Sequence, residues 1–567
     1  MFINTLKLTQ FMLQREKVNS TVWLVSMVFF NALIVLLIGF SMMPNEASVT
    51  EFMAILENPT LLAMVGPMHP SLPSDLGALY TLMMFVFMAI GVAIMNIFLV
   101  VRHTRADEEA GRYEVLRSLP SGRLANVNAA MLTAVVVNLV MAVGFTLSMW
   151  LVMAIIDVPM GFGAALLWGV CLGVLGLVFA SVAALFCQLS ASASGASGYS
   201  YGLLGLFYFL RAGADMDPEG MGYLAYFSPF GLASRTWVYI ENNWWPVCVL
   251  LGIAIVITVL AYGFCNVRDI DQGMIPDRRG KVKGGILLRS PIGLHFRLLR
   301  RSVIIWVIIL FMTGLSYATL LEDINNFIAG NDMYRQLMLG HTGLMDQIDG
   351  MTTDEIAAVM NAVLSHAGYN ITQLFASMIG FIMAMIAAIP VLMFVLKAKG
   401  EEKAIRAELL VATPTSKGKY LSGFVIISFA SCVLIQLAQA LGMYSLAQSV
   451  LTDPSVLPLS YLVEAALVYV PSLWIMGGLT VLLLGIFPKA AGFIWAYYGY
   501  TFFAMMFGRF FPQIEFLGIF TPLGWTPQMP VDDANWFALT VMAALGIALS
   551  AIGIMCYKKR DINAITH

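Results

Sequence analysis

The sequence predicts an all-α polytopic membrane protein: twelve transmembrane helices arranged as two parallel six-helix repeats. Three observations carry that prediction. Of the 567 residues, 60% are hydrophobic and only 11% charged, with a mean hydropathy of +0.83, whereas soluble domains carry about 25% charged residues. Twelve apolar runs approach the ~20 residues that cross a bilayer as helix, and short motifs recur at a fixed offset of 292 to 294 residues. So little charge cannot cover a water-facing surface of this size, which excludes soluble enzymes, nucleic-acid binders and secreted disulfide scaffolds. The net charge of −2 gives no reason to expect a polyanionic partner.

The runs fall at 20–41, 77–101, 126–152, 161–187, 196–212, 245–265, 302–320, 371–396, 420–446, 460–487, 490–511 and 536–557. The first is longer than a signal-peptide core and follows a stretch with Lys7, Arg15 and Lys17, so it is expected to be a retained span with a cytoplasmic N-terminus. On that topology 27 of the 31 Lys and Arg residues fall on the cytoplasmic side, and only Arg211, Arg235, Arg335 and Arg509 fall outside. One span more or fewer would invert the later loops and destroy this asymmetry. Both termini are therefore expected in the cytoplasm.

The repeat is visible at four places. Glu108, Arg112, Glu114, Leu116 and Pro120 after the second span return as Glu402, Arg406, Glu408, Leu410 and Pro414 after the eighth. Ser228-Pro229-Phe230-Gly231 returns as Thr521-Pro522-Leu523-Gly524, Asn243-Trp244 as Asn535-Trp536, and Arg268-Asp269-Ile270 as Arg560-Asp561-Ile562. The chain is expected to divide into a first half at 1–284, with the central linker, and a second at 285–567.

The loop after the second span reads as a short charged helix. Glu108 with Arg112, and Glu402 with Arg406, stand four apart and would each steady such a helix by a few tenths of a kcal/mol. Pro120 and Pro414 would end it, leaving Leu116 and Leu410 as single apolar knobs. A stiff charged helix with one knob, presented once per half, suits docking into a groove of a separate ATPase. The alternative is a charged loop that serves topology alone.

These residues resemble the integral-membrane permeases of ATP-binding-cassette antibiotic exporters, including exporters of polyketide or polyether antibiotics of the tetronasin type. The resemblance rests on Glu-Glu-Ala-Gly-Arg-Tyr-Glu-Val-Leu-Arg-Ser-Leu-Pro at 108–120, on Phe-Ser-Pro-Phe-Gly at 227–231, and on the linker from Val267 to Pro276 with Arg278-Arg279-Gly280 and Leu287-Leu288-Arg289-Ser290-Pro291. It implies twelve spans, an amphipathic helix before each half, and coupling helices between spans two and three and spans eight and nine. The second coupling segment departs from the pattern, with Lys403 and Ile405 where the first half has Glu109 and Gly111. The stretches around Leu6, Phe11 and Met12 and around Ile292, Phe296 and Leu298, mixed with basic residues, fit interfacial helices; a flank that only fixes topology fits them equally.

No Walker A sequence is present, since Gly280-Lys281 runs into Val282 without the glycine spacing or the Ser/Thr that holds magnesium. The chain is therefore expected to be no enzyme and to bind no cofactor, with ATP and magnesium held by two copies of a separate ATPase subunit. The aromatic faces of spans five and eleven are the candidate substrate walls: Tyr201 and Tyr208 with Arg211, and Trp495, Tyr498, Phe502 and Met505 with Arg509. Such faces offer broad, adaptable apolar contact to a bulky amphipathic ligand, and the arginines could meet its carboxylate. Packing or interface anchoring is the alternative. Glu464, Asn96 and the Gly169/Gly173 pair read as a solvated carboxylate, an interhelical amide and a close helix crossing. The six histidines show no ligand spacing, and no metal site is expected.

The expectation is thus a permease in a bacterial plasma membrane that exports hydrophobic or amphipathic compounds, with a role in antibiotic efflux. A proton-coupled secondary multidrug transporter is the runner-up.

Overall fold

The computed structural model describes residues 1–42, 59–69, 76–118, 120–155, 161–269, 272–275, 285, 288, 290–319, 321, 370–413, 415–451, 454–507, 512–529 and 535–560. The described residues are mostly helical, joined by turns, and contain no strand. The segment 322–369 lies outside them, as do Pro414 and Arg509. By contacts the chain divides into two compact units, Met1–Gly280 and Lys281–His567.

In the first unit the long helices are α1 (Thr5–Met42), α3 (Leu76–His103), α6 (Ala125–Ile155), α7 (Phe162–Leu189), α8 (Ala193–Met216) and α10 (Trp245–Val267). Between them lie the short helices α2 (Pro59–Val65), α4 (Arg105–Glu109), α5 (Arg112–Arg117) and α9 (Pro229–Ser234). The core is a continuous apolar cluster contributed mainly by α3, α6 and α7. α7 is central because small residues let its neighbours approach. A Cβ on Gly169 would stand 2.2 Å from the Ala142 carbonyl oxygen and one on Gly173 3.1 Å from that of Asn138, so both mark close crossings with α6.

Polar groups inside the bundle pair across helices, as a lipid environment demands. Asn96 and Asn138 exchange amide hydrogen bonds of 3.0 and 2.6 Å. Asn31 accepts from the Tyr80 hydroxyl at 2.7 Å and the Trp168 indole at 3.1 Å, and donates to Ser148 at 2.9 Å.

In the second unit the helices are α11 (Pro291–Ala318), α12 (Ile371–Lys403), α13 (Arg406–Val411), α14 (Lys417–Val450), α15 (Leu459–Leu467), α16 (Val470–Ile486), α17 (Ile494–Phe507) and α18 (Trp536–Lys559). Their starts are capped where the sequence allows. Ser290 accepts from the Gly293 amide with Pro291 at the first helical position, and Asn370 forms a reciprocal capping box with Gln373. α16 and α18 cross on glycines, with a Cβ on Gly478 falling 2.5 Å from the Gly546 carbonyl oxygen and one on Gly485 2.3 Å from that of Gly553. Glu464, on α15, is exposed.

Ten segments among the described residues are long and apolar enough to cross a membrane: Thr5–Leu36, Gly77–Glu109, Ala125–Ile155, Phe162–Leu189, Trp245–Val267, Pro291–Ala318, Ile371–Lys403, Lys417–Val450, Pro454–Ile486 and Trp536–Lys559. The predicted spans at 196–212 and 490–511 fall on α8 and α17, which are not among them. α8 opens on a Gly- and Ser-rich stretch. Within the described residues the span at 490–511 comprises the 3-10 turn Ala490–Phe493 and the 14 residues of α17, and 508–511 lie outside them.

The separate amphipathic helix expected before each half is a further correction. α1 runs unbroken over 38 residues and α11 over 28, so each amphipathic stretch is the first part of the helix that continues as the span. Neither stretch contains a proline or glycine pair able to interrupt it after the first turn.

Candidate functional site

The residues singled out after the second and eighth apolar runs fold alike in the two units. In the first, the chain leaves α4 at Glu109, turns through Gly111 at φ 71°, and enters α5. In the second it leaves α12 at Lys403, turns through Ile405 at φ 63°, and enters α13. The left-handed backbone at the turn suits glycine and strains a β-branched residue.

This turn overturns the expected pairing of Glu108 with Arg112 and of Glu402 with Arg406. The helix is broken between the partners, so neither pair has the register of one continuous helix. Instead the Arg112 guanidinium donates to Asp107 at 2.9 Å and that of Arg406 to Glu401 at 2.7 Å. Glu108 accepts a bidentate hydrogen bond from Arg268 at 2.7 and 2.6 Å. Glu402 meets Arg560 differently: a single nitrogen, Nη2, donates to both carboxylate oxygens at 2.8 and 2.7 Å, and the Tyr557 hydroxyl donates to one of them.

Both glutamates are buried, so the Arg that follows the last long helix of each unit is clamped to the turn. The Arg268 guanidinium is held above its ordinary pKa: burial opposes the charged form, and the hydrogen bond and charge of Glu108 outweigh it.

Further matches appear around these pairs. Arg123 donates to the Arg268 carbonyl at 2.8 Å and Lys417 to the Arg560 carbonyl at 2.7 Å. Arg105 reaches the Ala191 carbonyl at 2.5 Å and Lys399 that of Lys489 at 3.4 Å, so in each unit the segment touches the connection before α8 or α17. The sequence comparison missed Asp107/Glu401, Arg105/Lys399 and Arg123/Lys417 because the charge returns at an offset of 294 and the residue does not.

The apolar knob also moves. Leu116 and Leu410 are half-buried, and Leu410 packs on the second unit's core. The exposed apolar side chains are their predecessors, Val115 at 69% and Leu409 at 74% relative exposure. Glu114 and Glu408 stand exposed beside them, and Pro120 is exposed beyond α5.

The two units differ in what supports this turn. Glu109 accepts from the Ala193 backbone amide at 2.9 Å, one of the free amides in the first turn of α8, whose cap is Ser192, whereas Lys403 at the corresponding place is exposed and has no acceptor to offer. In the first unit α1 adds Arg15 to Asp107 and places Glu16 against Arg102 at 3.0 Å and His103 at 3.1 Å. In the second, Leu299 and Val303 of α11 join an apolar cluster with Phe394, Ala398, Tyr420 and Phe424.

The expected substrate-wall residues are only partly brought together. Tyr208 lies with the Arg211 guanidinium 5.2 Å from its ring centre, and Trp495 meets Tyr498 edge-on at 6.1 Å. Tyr201, Trp495 and Phe502 are exposed. Tyr498 donates to the Met385 carbonyl at 3.0 Å, and the buried Met505 accepts from the Thr521 hydroxyl, so both are tied into their own unit. Arg211 is not open to an incoming carboxylate: its side chain is fully buried, 3.3 Å from Asp215, and donates to the Ala63 carbonyl.

At the other end of each unit the repeated Pro-Gly cores also match. Ser228 caps Pro229–Ser234 after the 3-10 turn Gly222–Phe227, and Thr521 caps Pro522–Trp525 after Pro512–Phe520. Among the described residues no group of three His, Cys, Asp or Glu side chains could hold a metal ion.

A family model described as the C-terminal domain of the multidrug efflux system permease Rv1217c matches residues 11–265, 288–367 and 342–558. The multidrug efflux system permease protein Rv1217c of Mycobacterium tuberculosis is 28% identical over 568 residues, covering 99% of this chain and 96% of that protein. A transport subunit rather than an enzyme fits both matches and the many apolar helices. The chain is a multi-pass membrane protein and belongs to the family of this multidrug efflux permease.

Proposed function

We propose that this chain is the membrane permease of an ATP-driven exporter, built from two six-span halves at 1–284 and 285–567 with both termini in the cytoplasm of a bacterial cell. α8 and α17 are the fifth and eleventh spans of that arrangement. Each half offers one docking helix, α5 or α13, to one copy of a separate ATPase that carries ATP and magnesium. The observation that carries this reading is the doubled clamp, Glu108 on Arg268 and Glu402 on Arg560, which holds each docking helix to the last span of its own half. A loop needed only for topology requires positive charge and no such buried ion pair in each half. Val115 with Glu114, and Leu409 with Glu408, form the contact tips.

The cargo is a hydrophobic or amphipathic compound. The relative's printed role in multidrug efflux and the exposed Tyr201, Trp495 and Phe502 support that class, and polyether or polyketide antibiotics are the favoured members.

The test is affinity purification of the intact chain from membranes, scored for a stoichiometric ATPase subunit and for hydrolysis stimulated by ionophore and polyketide antibiotics. Two ATPase copies per permease, lost when Val115→Asp and Leu409→Asp are combined, is the expected result. A single chain whose efflux follows a proton gradient would overturn the reading in favour of a secondary transporter.

A further inference from the structure

α11 carries a feature that its counterpart α1 lacks. Arg297, Arg300 and Arg301 stand three and four residues apart, so they share one face of the helix, and all three are exposed. None has a carboxylate partner or a hydrogen bond among the described residues. The same face continues as Ile304, Ile305, Ile308 and Met312, all exposed. The opposite face, with His295, Leu299, Val303 and Leu310, is buried in the unit.

In α1 the corresponding charge is used internally, with Arg15 on Asp107 and Glu16 facing Arg102 and His103. The α11 arginines therefore sit where an exposed apolar stripe ends, with three permanent charges and no internal partner among the described residues.

We infer that Arg297, Arg300 and Arg301 form a headgroup site for an anionic phospholipid, whose acyl chains lie along Ile304, Ile305, Ile308 and Met312. Guanidinium groups pair with phosphodiester oxygens by bidentate, charge-assisted hydrogen bonds. A headgroup alone would use the arginines and leave the isoleucines unexplained; a phospholipid covers both along one helix face. An acidic protein surface would likewise match the charge but not the apolar stripe. One basic residue near an anionic surface is worth about fivefold in affinity (about 1 kcal/mol).

The experiment uses the full chain in mild detergent and in nanodiscs, with phosphatidylglycerol, phosphatidylcholine and inorganic phosphate as probes. Lipid retained through purification is counted by native mass spectrometry, and the melting temperature is followed with each probe. Phosphatidylglycerol is expected to be retained at least about tenfold over phosphatidylcholine and to raise the melting temperature. The combined variant Arg297→Gln, Arg300→Gln, Arg301→Gln is expected to lose that preference, and the triple Lys variant, which keeps the charge should the Gln variant misfold, to retain most of it.

Equal retention of the two lipids by the unaltered chain would overturn the inference. So would a phosphate effect as large as that of phosphatidylglycerol, or a Gln variant that loses a protein partner while keeping its lipid. The inference does not depend on which energy source drives transport.

Discussion

The carboxylate of Glu109 accepts a hydrogen bond from the backbone amide of Ala193 at 2.9 Å, so the end of α4 meets the first turn of α8, beside the Ser192 cap. Lys403 holds the matching place 294 residues later and cannot accept. The short charged segments therefore join the next long helix differently in the two units.

Glu109→Ala is expected to cost about 1 kcal/mol, the value of one hydrogen bond to a free amide of a helix's first turn, and to lower efflux severalfold while membrane insertion is unchanged. Glu109→Gln, which still presents an acceptor, should restore most of the efflux. Lys403→Ala should leave efflux near normal. Efflux assays on the three variants at matched expression check this, and equal loss in Glu109→Ala and Lys403→Ala would remove the asymmetry.

Glu108→Ala leaves the Arg268 guanidinium, only 9% exposed, without its carboxylate, and Glu402→Ala does the same to Arg560 at 11%. Breaking a buried pair from one side costs about 3–5 kcal/mol. Thermal unfolding in detergent should show a large drop in both variants. Glu114→Ala, which alters an exposed carboxylate on the same segment, should stay within about 0.5 kcal/mol.

Ile405 occupies left-handed backbone at φ 63°, where Gly111 stands in the first unit at φ 71°. A side chain there costs about 1–2 kcal/mol. Ile405→Gly is expected to stabilise by about 1 kcal/mol and Gly111→Ile to destabilise by a similar amount. Opposite shifts in melting temperature are the signature.

A Cβ on Gly231 would lie 2.4 Å from the Ala225 carbonyl oxygen, and one on Gly524 2.2 Å from that of Gly518, again 293 residues apart. Backbone must move to admit even a methyl group, so Gly231→Ala and Gly524→Ala should each lose about 1–3 kcal/mol. Gly198 and Gly499, around which a Cβ would meet nothing within 4 Å, supply the controls. Their Ala variants should melt like the unaltered chain.

Much of this protein was legible in one dimension. Ten of the twelve predicted spans lie on segments long and apolar enough to cross a membrane, because lipid demands about twenty apolar residues in a row whatever surrounds them. The Gly169/Gly173 crossing and the interhelical Asn96 were legible for a similar reason, since small and amide side chains inside an apolar helix have few other uses. The weaker predictions were the fifth and eleventh spans: α8 opens on Gly and Ser, which thin its apolar signal, and 508–511 at the end of the eleventh lie outside the described residues.

The placement of two charged helices at matching positions follows from composition and the 294-residue offset, properties carried along the chain. The choice of partners does not. Arg112 reaches Asp107 because a left-handed residue breaks the helix between Glu108 and Arg112, and Glu108 is left to an arginine 160 positions away. The exposed tips are Val115 and Leu409 because the packed bundle covers Leu116 and Leu410 in part, and Arg211 is closed off because Asp215 and the Ala63 carbonyl already hold it. Spacing and hydropathy are local, and they marked the segments; pairing and exposure depend on residues distant in sequence, and came only with the folded bundle.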